Sequence, residues 1–414
     1  MKFSLVPRFI SVCAMVLIPA SGLCQNPAAD WNAIALTTIV KVGQKPPSSS
    51  GVFFAYEAVA MYDAANSITR HYQPFAVSVD APRGASVDAA VVAAAHDVLI
   101  HYFPNQASAL DGDELNSLNQ ISDSQAKIDG VAVGQAVATQ WIALRTADGL
   151  EAPITYVWGH GPGIWEPVPP FPPPATPWLP YFRPFTSVSA SDFRSKVPPP
   201  PALNSTIWAI DYNLTKSFGE LNSSLRTAKE TEIGRFWSDH PLAQYSSAMQ
   251  RLIADHTLST MQTVRLLAMT YVTYQDAITA CFDAKYYYAF WRPYTAIHDA
   301  DTDGNPFITP DTNWMPLITT PGHPEYPAAH GCATGAFDFT IAQFFHTEAV
   351  PTHFTSAVTG TTHDFSKLSD EMQEVDLSRI YGGVHYITSM LQGNVLGKAV
   401  AQHALSTNFK PLDR

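Results

Sequence analysis

The chain has 414 residues, enough for two or three domain-sized units or one large helical body with internal duplication. Charged residues make up 14% against 46% hydrophobic and 12% aromatic, a balance that supports a packed core and excludes a disordered chain. The net charge is −12 with no run of Lys and Arg, which excludes nucleic acid as the expected partner; an anion must be held by a few of the 24 Lys and Arg residues gathered in one place.

Residues 1–24 have the layout of a secretory signal peptide: Lys2 and Arg8, an apolar stretch from Phe9 to Ile18, then small residues ahead of Cys24 and Gln25. Cleavage there removes two positive charges and no acid, taking the charge from −12 to −14 and predicting an exported protein, periplasmic or secreted. Ser21-Gly22-Leu23 fits poorly before a lipidated cysteine. No later stretch approaches the ~18–20 apolar residues needed to span a bilayer, so no membrane span is expected. Cys281 and Cys332 remain, to be read either as a disulfide or as a buried reduced pair.

From Trp31 to Ala147 apolar residues recur three and four apart in Ala-rich runs, which predicts about four helices and an N-terminal bundle over 25–150. Residues 151–205 change texture: Pro167 to Pro177 and Pro198 to Pro201 are too proline-dense for helix or sheet interior. Interleaved Trp158, Trp165, Trp178, Phe182 and Phe185 favour a belt packed on the helices over a disordered linker. Helical spacing resumes from Thr206 to Trp291, gives way to a polar loop from Pro293 to Pro327, and returns over Gly331–Phe345 and His385–Leu405, a second bundle over 206–414. No strand alternation of any length is evident. The predicted fold is all-α, two helical bundles joined by a proline-rich crossing. Val59-Ala-Met-Tyr-Asp-Ala-Ala65 and Tyr271-Val-Thr-Tyr-Gln-Asp-Ala277 hint that the bundles are related.

Three elements carry chemistry. Lys285 and Arg292 lie seven apart in the aromatic run Lys285-Tyr-Tyr-Tyr-Ala-Phe-Trp-Arg292-Pro293, where two helical turns would place both cations on one face. Two solvated surface cations are the alternative, but such apolar surroundings withdraw both charges from water and call for a counter-anion. In His323-Pro-Glu-Tyr-Pro327-Ala-Ala-His330 a proline turn feeds an Ala-rich helix, whose first N–H groups attract an oxyanion and whose first turn carries His330 as a proton-exchanging group. His330 as a purely structural residue, or His323, Glu325 and His330 as zinc ligands, are the other readings; no helical His pair supports zinc. In Ser378-Arg379-Ile-Tyr-Gly382-Gly383-Val-His385 an unbroken helix would point Arg379 and His385 about 120° apart, and the double glycine lets them meet. A simple helix stop is the alternative there. Taken together, Lys285, Arg292 and Arg379, two histidines and a helix start describe a pocket for a small, multiply charged oxyanion.

These residues carry a resemblance. Lys285 to Pro293, Pro327 to His330 and Ser378 to His385 stand in the order of the signature shared by vanadium-dependent haloperoxidases and type 2 acid and lipid phosphatases. Asp276 to Lys285, Ala300 to Pro306 and the helical first half resemble the bacterial haloperoxidase branch. The resemblance implies that His385 bonds the central atom, vanadium of a vanadate cofactor or phosphorus of a phosphohistidine. It implies that Lys285, Arg292 and Arg379, with the backbone N–H near Ala329, neutralise the oxygens, and that His330 is the acid–base group. As a peroxidase, His330 takes a proton from hydrogen peroxide, Lys285 polarises the peroxide and halide is oxidised. As an acid phosphatase, His330 protonates the leaving alcohol of a phosphate monoester and then activates water.

Two departures matter. Ala328-Ala329 stand where the signature has Ser-Gly, removing a hydroxyl donor worth ~1–3 kcal/mol. Ser389 stands where an acid orients the last histidine, so another group must hold His385 or the protein is a catalytically weak oxyanion binder. By the resemblance, His323, seven before His330, points to bromide or iodide rather than chloride. Finally, Asp299-Ala-Asp301-Thr-Asp303-Gly304-Asn305 matches the front of a calcium loop but has Pro310 at the closing position; calcium at Asp299, Asp301 and Asp303 or a solvated acidic turn are the two readings.

Overall fold

The computed structural model describes residues 26–412. The signal-peptide reading of residues 1–24 lies outside them. Five helices come first: α1 (Pro27–Ala35), continued by a π-helical stretch over Leu36–Val42, α2 (Pro47–Thr69), α3 (Val87–Tyr102), α4 (Ala107–Asn119) and α5 (Gln125–Arg145). After the crossing come α6 (Thr206–Gly219), α7 (Ala228–Phe236), α8 (Pro241–Asp255), α9 (Thr260–Tyr288), α10 (Pro293–His298), α11 (Ala329–Phe345), α12 (Leu368–Tyr381) and α13 (Ile387–Thr407). Several helix starts fall where a side chain supplies an acceptor for the first N–H groups: Ser86 Oγ accepts from Ala89 N at 3.2 Å, and Ser259 with Gln262 forms a reciprocal capping box at the start of α9.

Helices α2 and α9 are buried on nearly every face along most of their length, so each is a bundle axis and not an amphipathic surface helix. They pack on each other, with Phe54 and Tyr271 rings 4.9 Å apart, and one cluster of buried side chains runs from Trp31 through both to Met390. The similarity of the two Asp-Ala sequences has a structural counterpart. Asp63 on α2 accepts the backbone N–H of Phe75, Ala76 and Val77, and Asp276 on α9 accepts those of Phe185 and Thr186 and the Thr186 hydroxyl. Each buried carboxylate thus ties an extended segment to the axial helix. The crossing is a packed belt, with Trp165, Trp178 and Phe182 buried and Arg145 stacked on Phe185 at 4.6 Å.

Three elements go beyond the expected ones: α10 lies inside the stretch expected to be a polar loop, α12 falls between the last two helical runs, and a short hairpin forms after α11. β1 (Thr352–Thr355) and β2 (Thr362–Phe365) pair antiparallel, Thr352 opposite Phe365. Four residues give only two periods of alternation, too few to distinguish from loop. The hairpin's tip brings Val358 to the cavity described below.

Helices α11 and α13 cross at backbone contact. A Cβ at Gly397 would lie 2.0 Å from the Cys332 carbonyl oxygen, one at Gly335 2.4 Å from that of Asn394, and one at Gly393 2.6 Å from that of Ala328. Only glycine permits this approach, which brings the start of α11 against the segment preceding α13. Cys281 and Cys332 are buried free thiols in the adjoining apolar cluster.

Candidate active site

Lys285 occupies the last turn of α9, but the helix does not continue to Arg292. It ends at Tyr288, and Ala289 turns left-handed at φ 47°. Pro293 disfavours helical backbone at Arg292, which starts α10 with ψ 156°. The two cations therefore reach the same 323–325 segment across a break in the helix, a correction to the two-turn spacing expected from the sequence. Lys285 Nζ donates to the carbonyls of Pro324 (3.0 Å) and Glu325 (2.8 Å), while Arg292 Nε donates to that of His323 (2.9 Å). Both cations grip the segment before α11 from behind, and neither lines the cavity in front of it.

His385 follows the double glycine. Gly382 closes α12 and Gly383 adopts φ 73°, turning the chain so that His385 and Arg379 both face the buried site. The His385 ring is oriented by Glu325: Nδ1 donates to Glu325 Oε1 at 2.7 Å, and the same oxygen accepts the Tyr386 N–H at 3.1 Å. This bond places the proton on Nδ1 and leaves Nε2 with a lone pair, which accepts from Arg292 Nη1 at 3.1 Å. Glu325 is the group that Ser389 could not supply. Its sequence signal is weak: it is the sole carboxylate in the 321–330 turn, which suggests it only as a zinc ligand. Its commitment to His385 removes it from such a cluster, and among the described residues no three His, Cys, Asp or Glu side chains are gathered for a metal ion.

His330 lies in the first turn of α11, which begins at Ala329 with no side-chain cap because Ala328 precedes it. The Trp237 carbonyl faces the His330 ring and accepts from Arg379 Nη1 at 3.1 Å. His323 bonds Arg292 Nη2 through Nδ1 at 3.0 Å and packs on Phe282 with ring centroids 5.0 Å apart. The structure thus brings together Lys285, Arg292, His323, Ala329, His330, Arg379 and His385. The calcium reading finds no support. Asp299 and Asp301 are exposed, and Asp303 is committed to Trp208 Nε1 (2.8 Å) and the Asn305 N–H (2.9 Å).

Burial governs the electrostatics. It pushes the Lys285 ammonium down to about 8 and the Arg379 guanidinium to about 9, with the Arg292 charge adding to both, and the Arg292 guanidinium down to about 10 against the pull of Glu325. Burial raises Glu325 to about 7 against the pull of Lys285 and Arg292. His323, His330 and His385 are held well below the ordinary histidine value, first by burial and then by the surrounding cations. Three buried cations thus face one carboxylate. Arg379 Nε and His330 Nε2 are buried without a hydrogen-bond partner among the described residues. Excess positive charge, two orphaned nitrogens and an uncapped helix start together fit an oxyanion such as vanadate or phosphate. A cavity of about 580 Å³ opens over His323, Ala329, His330, Arg379 and His385.

Residues 265–413 match the family model of the VCPO second helical-bundle domain. Among solved structures the chain is similar to a bacterial vanadium-dependent iodoperoxidase, with a TM-score of 0.78 at 21% identity over 94% of this chain and 97% of that one. It is also similar to a bacterial vanadium-dependent chloroperoxidase. The holo form gives a TM-score of 0.72 at 15% identity, covering 89% of this chain and 93% of that one. The apo form gives 0.71 at 15% identity, covering 87% and 94%. No curated protein matches the sequence. The chain has the mainly helical fold of these bacterial vanadium-dependent haloperoxidases, and its residues 265–413 are similar to the VCPO second helical-bundle domain.

Proposed function

We propose that this protein is a vanadate-dependent haloperoxidase that uses hydrogen peroxide to oxidise iodide or bromide. The observation that carries the reading is the His385 imidazole: Glu325 holds the proton on Nδ1, so Nε2 faces the cation cage as a neutral ligand. Nε2 would hold vanadate by one bond, Lys285, Arg292, Arg379 and the Ala329 N–H would neutralise its oxygens, and Arg292 would trade its contact with Nε2 for one with oxygen. Vanadate, when bound, supplies a Lewis-acidic centre that makes peroxide electrophilic toward halide. His330, kept neutral by burial and with Nε2 unpaired, takes the proton from incoming peroxide. His323 on the cavity wall supports iodide or bromide over chloride, and the iodoperoxidase is the structural relative with the higher TM-score.

A phosphomonoesterase is the second reading, favoured by the unprotonated Nε2 of His385 beside an acid–base histidine. The weak-binder reading loses one of its two grounds, since Glu325 does the work of the missing acid. Export remains part of the proposal and rests on the residue pattern of 1–24. The test uses mature protein purified without phosphate, with orthovanadate added or withheld. Vanadate-dependent oxidation of iodide and bromide that vanishes in His385→Ala supports the peroxidase. Vanadate-inhibited hydrolysis of a phosphate monoester, with no halide oxidation, overturns it in favour of the phosphatase.

A further inference from the structure

The cavity over the site is far larger than a tetrahedral oxyanion, peroxide and halide require. At about 580 Å³ it lies in the range of pockets that enclose an organic molecule. Most of its wall away from His385 is apolar, with Pro46 and Pro47 at the start of α2, Ala175 from the belt, Ile278 and Phe282 on α9, and Leu317; Ser48, Ser238 and Thr319 are the small polar exceptions. A channel serving small anions alone gains nothing from such walls, because apolar surface stabilises neither halide nor peroxide. The lining also carries Arg235, exposed at the end of α7. Its neighbour Asp239 is committed to backbone, accepting the His240 N–H at 2.7 Å and the Ala357 N–H at 2.6 Å. Among the described residues no acid pairs with the Arg235 guanidinium, so the cavity, whose lining includes Asp239, combines mostly apolar walls with a second cation at its rim, apart from Arg379 at the oxyanion site.

We propose that this cavity seats an organic acceptor with an apolar aromatic body and an anionic group held by Arg235, and that the acceptor is halogenated within it. The proposal rests on the peroxidase reading for its chemistry. The step balances as R–H + I⁻ + H₂O₂ + H⁺ → R–I + 2 H₂O. Iodide gives two electrons to peroxide, the O–O bond breaks to yield two waters, and an aryl C–H bond is replaced by C–I. An acceptor seated between Pro47 and Phe282 meets the oxidised halide before it diffuses away, so the cavity selects the position of attack.

The experiment titrates vanadate-free protein with 6-hydroxy-2-naphthoate and with uncharged 2-naphthol, read by probe fluorescence. It repeats the titrations in Arg235→Gln and in Ala175→Phe, a partly exposed loop position whose substitution fills the cavity; unchanged thermal unfolding certifies both variants. Saturable binding is expected, weakened at least tenfold in Ala175→Phe, with Arg235→Gln weakening the naphthoate about fivefold and leaving the naphthol within twofold. With vanadate, peroxide and iodide added, the isomer ratio of iodinated naphthoate should differ from that made by free hypoiodite. Absence of saturable binding, or binding untouched by Ala175→Phe, overturns the proposal, and halide oxidation by the same preparation shows whether the peroxidase reading stands without it. Saturable binding with no iodide oxidation overturns the halogenation step together with the peroxidase reading.

Discussion

Glu325 Oε1 accepts the Nδ1–H of His385 at 2.7 Å across 60 residues of sequence, and both side chains are fully buried. The carboxylate leaves the turn before α11 and the imidazole follows the turn after α12, so the pair joins the two segments that Arg292 also bridges. Replacing Glu325 by Gln keeps an acceptor near Nδ1 but removes its charge. Vanadate affinity, followed by equilibrium titration, should fall ~10–100-fold while the fold is retained. In that background Ser389→Asp, which places an acid four residues after His385, should recover part of the loss; no recovery would show that position 389 cannot address the ring.

His330 has no competing hydrogen bond at Nε2. His330→Ala should lower kcat for halide oxidation ~10²–10⁴-fold, the usual span for loss of a general acid–base group, with vanadate affinity changed less than about tenfold. Steady-state rates at saturating vanadate separate the two effects. A collapse of affinity with kcat preserved would assign His330 to binding.

An oxyanion opposite Lys285 raises the pKa that burial has pushed down to about 8. The complex then binds more protons than the free protein wherever Lys285 is neutral beforehand, so affinity falls as pH rises through about 8. Phosphate-binding calorimetry near pH ~8.5, in two buffers of different ionisation enthalpy, should show proton uptake that disappears in Lys285→Met.

Gly397 sits where a Cβ would lie 2.0 Å from the Cys332 carbonyl oxygen. Gly397→Ala must push α11 and α13 apart, at a cost of about 1–3 kcal/mol. Denaturant unfolding should register it. Oxyanion affinity should fall in parallel, because the helix start that carries Ala329 and His330 moves with α11.

Asp276 joins the belt to α9 through two backbone N–H groups and a hydroxyl. Asp276→Ala should cost about 2–4 kcal/mol, since buried donors are left unpaired. Limited proteolysis should then cut the belt near Thr186 before any helix. Cleavage elsewhere first would place the weak point outside this tie.

Much of the site is legible in local spacing. Lys285, Arg292, His330, Arg379 and His385 stand in short motifs, and the double glycine at 382–383 forecast the turn that lets the last two face one site. Glu325 was visible only as an isolated carboxylate, because its partner lies 60 residues away and no local period links them. The continuation of α9 to Arg292 fails for the opposite reason: helical periodicity persists through Ala289 and Phe290, while the left-handed backbone at Ala289 and the extended backbone that Pro293 imposes on Arg292 end it.

Most of the helical elements, the extended belt and the inventory of cations and histidines follow from neighbours within about four residues and are present in the sequence alone. Tertiary structure alone decided which acid orients His385, which nitrogen carries its proton and which cations back the site without lining it. It also decided what walls the cavity, whose surfaces come from α2, the belt, α7, α9 and the β1–β2 tip. The physical reason is that these relations depend on where helices cross, and the crossing of α11 and α13 is set by glycine-mediated backbone contact between segments some 60 residues apart.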